Sequence, residues 1–474
     1  VSVLAKCDFS DGWVQAYDRM RDEVLGHRVR DGGWFDAELT AADLPEIELQ
    51  SLWFGGAFGR DFRDSLGREV RVVQFGVWNH AAGPDFLHAS VDVDGERMVG
   101  AIELDTDVRD WEHHGHASNP AYENVVLHLF FNAPDEACFT RTESHRDVVQ
   151  VRLDASVLVE PAPMVDAHPG RCLKPLELMG AERVRSLLVG AAMSRAKRKA
   201  RRFLRCADIH GPREAWFQAM AECLGYRRNK LPMRALAQTL PLRELMVQPA
   251  EAAEALLFGT AGFLEAPDDM ARDDETSGYL RALWRHWWRA RPVRDTRSVE
   301  LPWVFAGQRP VNHPHRRLGA LAAVVADWHV LEKVVTGGMD GVDRRLSKFC
   351  DQLEHGYWSH HFTLTSAPSA KRLALIGRDR WRDFLVNFVL PVAMNDHRSE
   401  QAAAVYLKLP AGALDEASRI AALRLFGASE LGAEVLKNHA FRQGLLAVYE
   451  DFCLRDDSGC AGCSFPEQLR QWGE

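Results

Sequence analysis

The apolar periodicity of this chain changes once, and that change constrains the fold more than any other feature. Before residue 160 the apolar segments are short and alternate; beyond residue 175 they are long and repeat at helical spacing. Between them stand Pro161, Pro163, His168-Pro169-Gly170 and Pro175, too many breakers for either kind of element. The pattern predicts an α+β region followed by a large all-α region.

In the first part, Leu44–Trp53 reads as a short amphipathic helix with Asp43 as N-cap and Pro45 in its first turn. Glu69–Phe75, Phe86–Asp94, Arg97–Asp105, Asn124–Phe131 and Asp147–Leu153 read as strands, which predicts a sheet of about five. Asp94-Gly95 is a hairpin signal. Beyond the break, Ala181–Ala207, Pro212–Leu224, Ser277–Ala290, Arg316–Val335, Arg378–Asn395, Asp415–Phe426 and Gly432–Leu454 read as helices, with no repeat of fixed period. The chain thus divides into an extension (1–43), an α+β domain (44–160), a helical domain (175–452) and a cysteine-containing tail (453–474).

At 474 residues the chain is too long for one comfortable core. Its 46% hydrophobic and 26% charged residues place it among globular proteins rather than disordered ones. No apolar run approaches the roughly 20 residues that span a bilayer. Val1–Phe9 has neither the basic start nor the apolar core of a signal peptide. The expectation is a cytoplasmic protein with no membrane partner.

Charge is polarised along the chain. Residues 1–150 carry 13 Lys and Arg against 28 Asp and Glu, whereas residues 171–235 carry 16 against 5. Two readings stand open: a basic face for DNA or RNA, or solvated helix faces paired with the acidic half. On the helix Ala181–Ala207, Arg195, Arg198, Arg202 and Arg205 fall on one side, and Arg198 and Arg202 are the candidate phosphate contacts.

The densest chemistry lies between Asp85 and His128. Glu103 and Asp105 are two apart on a strand and share a face. A two-residue turn at Asp94-Gly95 would set Asp85 opposite Leu104, on the wrong face. Convergence therefore needs a three-residue loop, Asp94-Gly95-Glu96, which sets Asp85 opposite Asp105 and diagonal to Glu103, or Asp85 lying in the loop just before its strand. Converging carboxylates need a cation among them, and Mg²⁺ or Mn²⁺ suits oxygen ligands. His114 and His116, in the loop led by Asp110-Trp111, are candidate metal ligands or proton donors. His128 reads as a core histidine bonded to a backbone group.

Pro84-Asp85 at a strand start, followed by Glu103-Leu104-Asp105 across a hairpin, resembles the metal site of PD-(D/E)xK nucleases over about residues 44–130. That resemblance implies a restriction-endonuclease-like mixed sheet, with Asp85 and Glu103 as metal ligands and Glu46 or Glu48 completing the site; Glu48 is the assignment carried forward. Asp105 stands where those nucleases have lysine. Over most of the chain from Leu44, a second set of residues is similar to a bacterial family catalogued as domain of unknown function 2851. The carrying stretches are Trp78-Asn79 with Gly83-Pro84-Asp85-Phe86, Asp110-Trp111 with His114-Gly115-His116, and Tyr122 with His128. Arg309-Pro310 with Asn312 and Leu375-Ile376-Gly377-Arg378 extend it. Glu103-Leu104-Asp105 departs from the Glu-x-His of that family.

Nine cysteines at irregular spacing form no disulfide framework. Six are isolated, but Cys453, Cys460 and Cys463 are spaced to wrap one zinc ion or iron–sulfur cluster. This spacing resembles the first three ligands of the cluster loop in endonuclease-III-type DNA glycosylases, with Leu469 where the fourth would stand. The functional expectation is a metal-dependent nuclease acting on DNA or RNA phosphodiesters, through Asp85, Glu103 and Asp105 with His114 and His116. Two alternatives stand beside it: a non-catalytic nucleic-acid or protein-binding module on a degenerate nuclease fold, and a zinc hydrolase built on the histidine loop.

Overall fold

A computed structural model describes residues 12–30, 44, 46–79, 82–134, 138–154, 169–226, 228–264, 273–290, 301–454 and 460–472. Asp43, Pro45, Pro161, Pro163 and the Asp456–Gly459 stretch lie outside them.

Helix α1 (Gly12–Arg30) precedes α2 (Glu46–Phe54). Seven strands follow: β1 (Asp61–Arg63), β2 (Glu69–Gln74), β3 (Val77–Trp78), β4 (Phe86–Val93), β5 (Glu96–Leu104), β6 (Val125–Phe130) and β7 (Val149–Arg152). They form one mixed sheet in the order β1-β2-β4-β5-β6-β7, with β3 also paired to β4. The first pairs are antiparallel, whereas β5-β6 and β6-β7 are parallel. The five expected strands are present; β1 and β3 are too short to show a period. The β5-to-β6 crossover is made by a one-turn helix α3 (Asp110–His113) and two 3₁₀ turns, and this segment carries the site histidines.

Beyond the break the described structure is helical. In chain order come α4 (Leu173–Met179), α5 (Ala181–His210), α6 (Pro212–Leu224), α7 (Lys230–Thr239), α8 (Leu242–Leu245), α9 (Ala250–Thr260) and α10 (Asp274–Ala290). Next are α11 (Pro314–Ala326), α12 (Trp328–Thr336), α13 (Val342–Gln352), α14 (Arg378–Phe384) and α15 (Leu390–Ala393), the last two joined by a π-helical turn, Leu385–Val389. The chain closes with α16 (Ser399–Lys408), α17 (Glu416–Phe426), α18 (Glu430–Val435), α19 (His439–Val448), a π-helical turn Tyr449–Cys453, and α20 (Phe465–Gln471). No helix among the described residues is long and apolar enough to cross a membrane.

The single helix expected over Arg316–Val335 breaks at Asp327, whose φ of −102° and ψ of 23° leave the helical region. The one expected over Gly432–Leu454 is interrupted at Asn438, which turns extended and caps α19 by accepting the Phe441 N–H.

Helix α5 is the axis of the helical part. Its small residues Gly190, Ala191, Ala192, Ala196 and Ala200 are buried, which lets neighbouring backbones close in. A Cβ on Gly190 would sit 2.7 Å from the Trp13 carbonyl oxygen, and one on Gly444 would sit 2.0 Å from that of Leu188. So α1 and α19 both lie directly on α5. Residues 12–30, set apart as an extension by the sequence, belong to this helical layer, where the buried Tyr17 hydroxyl donates to Asp451 (2.8 Å).

The sheet and the helices share one apolar core, which includes Trp53, Phe86, Ile102, Leu127, Phe217 and Trp328. Burying each such side chain is worth about 1.5–3 kcal/mol. A second, smaller cluster of Ala101, Trp111, Tyr122, Val125 and Val148 covers the opposite face of β5 and β6. The candidate site lies on that opposite face.

Candidate metal centre

Strand register places the first carboxylate. Val93 pairs with Glu96, so Asp94-Gly95 is a two-residue turn, with φ of 48° and 87°. The three-residue loop is therefore corrected, whereas Asp85 does lie in the loop just before β4. The register then shifts between Ala89↔Gly100 and Phe86↔Ile102, so Leu87 and His88 together oppose Ala101. His88 adopts a left-handed φ of 58° at this bulge. The extra residue returns Asp85 to the correct face, beside Glu103 rather than Leu104. The Asp85 N–H donates to Glu103 Oε2, and Leu104 N–H donates to Asp85 Oδ2, both at 3.0 Å.

Helix α2 holds the other side of Asp85. Trp78 Nε1–H donates to Gln50 Oε1 (3.0 Å), and an indole can only donate, so the Gln50 amide nitrogen faces away from it. That nitrogen donates to Asp85 Oδ1 (2.6 Å) and Glu46 Oε1 (2.7 Å). Both Asp85 oxygens thus accept protein N–H groups. Glu46 and Gln50, four apart, share one helix face; Glu48 lies about 200° from Glu46 at 3.6 residues per turn. Burial lowers the pKa of Arg234, against the raising effect of Glu222 and, more weakly, of Glu48. Glu46 is the α2 carboxylate of this cluster, and the assignment of Glu48 is corrected.

A relay of hydrogen bonds orients Asp105. Gln150 Nε2 donates to Thr140 Oγ1 (2.8 Å). Thr140 Oγ1 lies 2.8 Å from His128 Nδ1, and His128 Nε2 lies 3.1 Å from Asp105 Oδ2. The Asp105 carboxylate oxygen accepts from His128 Nε2–H, so Nδ1 of the neutral imidazole accepts from the Thr140 hydroxyl. His128 is fully buried and bonds side chains, not the backbone group expected of it.

The crossover loop brings the remaining histidines back over the sheet. Asp110 accepts from Thr106 Oγ1 and Asp107 N, closing the turn that starts α3. Trp111 is buried and donates to the Arg141 carbonyl (2.9 Å), which anchors the loop. Gly115 supplies a left-handed φ of 75° that bends the chain between His114 and His116. His116 stacks on Tyr122, with ring centres 4.1 Å apart and planes at 10°.

Asp105, His114 and His116 converge, each offering a ligand atom within 4.8 Å of the others. His114 Nδ1 is 3.3 Å from Asp105 Oδ1; His116 Nδ1 is 3.8 Å from Asp105 Oδ2 and 3.7 Å from Glu103 Oε1. His116 is 6% exposed, yet its Nδ1 has no hydrogen-bond partner. Such an orphan is costly unless a ligand completes it. Two donors about 2.0–2.2 Å from one ion stand only slightly closer together than these separations. Of the two ions expected from the carboxylates, Mn²⁺ suits two added imidazoles better than Mg²⁺, and Zn²⁺ or Fe²⁺ suit them as well.

The electrostatics agree with a cation at this place. Burial, then the negative charges of Asp85 and Asp105, push the Glu103 carboxyl up to about 10. Burial, then Glu46, holds Asp85 well above the carboxylate range. Glu46 is raised by burial and by Asp105. Burial lowers His116, which favours the neutral imidazole that a metal requires.

The matching family is described as "Protein of unknown function (DUF2851)", over residues 46–411. This chain belongs to that family. No curated protein and no solved structure matches it. The span matched in this DUF2851 member includes α2, the whole sheet and the histidine loop, so every residue of the candidate centre lies inside it.

The arginine stripe of α5 is not an open ladder for phosphates. Arg195 pairs with Glu450, Arg198 with Asp451 (3.3 Å), Arg202 with Glu222, and Arg205 donates to the Ala57 carbonyl. Glu450 and Asp451, from outside the basic segment, offset two of its excess charges. One feature of that face remains: a cavity of about 290 Å³ behind α2, lined by Ser51, Arg195, Lys199, Arg202, Arg234 and Glu222 among others. Lys199 donates there to two amide oxygens, of Asn387 (2.7 Å) and Gln443 (2.8 Å). Burial and the neighbouring Arg195 lower its pKa well below the usual ammonium value. Helix α2 therefore divides an acidic centre, carrying Glu46 and Gln50, from a cavity with an excess of cations.

Proposed function

We propose that this DUF2851 member is a divalent-metal-dependent hydrolase acting on phosphodiesters of DNA or RNA. Asp105, His114 and His116 are its ligands, and Glu103 stands beside them. The carrying observation is the buried, unpaired His116 Nδ1, aimed between the carboxyls of Glu103 and Asp105. A bound Mn²⁺ or Zn²⁺ would supply Lewis acidity and lower the pKa of a coordinated water. Glu103 Oε1, free of the Asp85 N–H that holds Oε2, is placed to take the proton of the attacking water. Asp85 is a positioning residue, because both its oxygens are engaged by Gln50 and Leu104. Attack on phosphorus breaks the P–O ester bond, and the departing alkoxide takes its proton from solvent.

The test uses the full chain, stripped with chelator and reloaded with Mn²⁺ or Zn²⁺, on bis(p-nitrophenyl) phosphate and on single- and double-stranded DNA and RNA. Cleavage should require metal and vanish in Asp105→Asn and His116→Ala variants whose circular dichroism is unchanged. Tight metal binding with no cleavage of any of these substrates would remove the hydrolase reading.

A further inference from the structure

The terminal cysteines lack a fourth partner in sequence, and the fold provides one. Cys172 caps the start of α4 and is 4% exposed. The three residues Gly170, Arg171 and Cys172 lie directly on the Cys460–Cys463 turn. A Cβ on Gly170 would stand 3.2 Å from Cys460 Sγ. Arg171 Nη1 donates to the carbonyl oxygens of Cys460 (2.9 Å), Ala461 (3.0 Å) and Cys463 (3.3 Å), and its Nη2 donates to Glu467 (2.8 Å). Cys453 follows Phe452, which stacks on Phe465, two residues beyond Cys463, with centres 4.1 Å apart at 12°.

We propose that Cys172, Cys453, Cys460 and Cys463 bind one metal centre as thiolates, either a zinc ion or an iron–sulfur cluster. Four ligands complete either centre, which three could not. Four thiolates around a dipositive centre leave a net charge of −2, and two guanidiniums stand against it. Arg171 holds the turn, and Arg424 Nη2 donates to Cys460 Sγ (2.9 Å). The Gly170 N–H also donates to the Arg424 carbonyl (2.8 Å), so the second cation is fixed to the same strand of chain. Binding releases the thiol protons and ties the first helix after the break to the end of the chain. This centre is independent of the histidine–carboxylate site.

The experiment uses the full chain with His114→Ala and His116→Ala, so that metal at the other site does not count. After anaerobic purification, one zinc per colourless chain, or iron with sulfide and a brown colour, each supports the proposal and names the centre. Adding Cys172→Ser should remove that metal and lower the melting temperature. Should that variant fail to fold, alkylation of the parent mapped by mass spectrometry decides. All four thiols should be protected until the metal is displaced and should become reactive together with its release. Protein that carries neither metal, a Cys172→Ser variant that keeps a full complement, or a Cys172 alkylated without metal loss would overturn the proposal.

Discussion

His128 Nε2 lies 3.1 Å from Asp105 Oδ2, and His128 Nδ1 lies 2.8 Å from the Thr140 hydroxyl. The carboxylate of the candidate centre is thereby held by a fully buried imidazole that a threonine hydroxyl supports on the far side. Outer partners of this kind orient a ligand and raise its basicity. Thr140→Val removes the hydroxyl at nearly constant volume, leaving His128 free to protonate on either nitrogen. Mn²⁺ or Zn²⁺ affinity should fall by about 10–100-fold, the usual cost of losing such support. Isothermal titration of the stripped protein measures it, and unchanged affinity would show that the relay does not act on the metal.

The bulge at His88 makes one position tolerant of two different changes. His88 is exposed and holds a left-handed φ of 58°. His88→Gly relieves a conformation that costs an L-residue about 1–2 kcal/mol, partly offset by the greater freedom of glycine when unfolded. That variant should be as stable as the parent or slightly more so. Deleting His88 instead leaves Leu87 alone opposite Ala101, so the ladder becomes regular with Phe86 still opposite Ile102 and Asp85 still beside Glu103. Thermal unfolding of the deletion should show a folded chain that melts close to the parent; failure to fold would mean that the bulge does more than insert one residue between two phases of the strand.

Gly444 tests the packing of α19 on α5. A Cβ there would stand 2.0 Å from the Leu188 carbonyl oxygen, and helix backbone offers no flexible end to yield. Gly444→Ala should cost about 1–3 kcal/mol or more, although alanine favours the helix by itself. Chemical denaturation measures this difference, and a stabilised variant would show that the two helices can separate without penalty.

Much of this architecture was legible because it rests on period and punctuation. The change from alternating to helical spacing marked the two regions, and Asp94-Gly95 marked the hairpin turn. The bulge was not legible: an inserted residue leaves alternation intact on each side and shifts only the phase between them. That single slip made a two-residue turn look incompatible with Asp85 facing Glu103. Asp85, Glu103, Asp105, His114 and His116 are indeed brought together, but the division of labour among them depends on partners distant in sequence. Gln50 saturates Asp85 from another element, and His128 reaches Asp105 through a parallel strand pair, Glu103↔His128. Cys172 escaped for the same reason, since motif spacing reveals only ligands that are close along the chain. The arginines of α5 have helical spacing whether their partners are phosphates or carboxylates, so sequence could not distinguish Glu222 and Asp451 from a nucleic acid.

The last prediction concerns pH and the metal together. Glu103 titrates ordinarily near 4.5, but in the folded, metal-free chain burial and the charges of Asp85 and Asp105 raise it to about 10. Below pH 4.5 the group is protonated in both states and contributes nothing to the difference. Between those two values the unfolded chain has released the proton while the folded chain retains it. Folding therefore takes up a proton throughout this window, and stability must fall as pH rises. Chelated protein should melt at a higher temperature at pH 6 than at pH 8, after correction for the same comparison in Glu103→Gln. A divalent ion replaces the proton as the partner of the carboxylate cluster, so saturating Mn²⁺ or Zn²⁺ should flatten the pH dependence and raise the melting temperature most at pH 8. Calorimetry of the four conditions decides. Equal pH dependence with and without metal would place the ion away from Glu103.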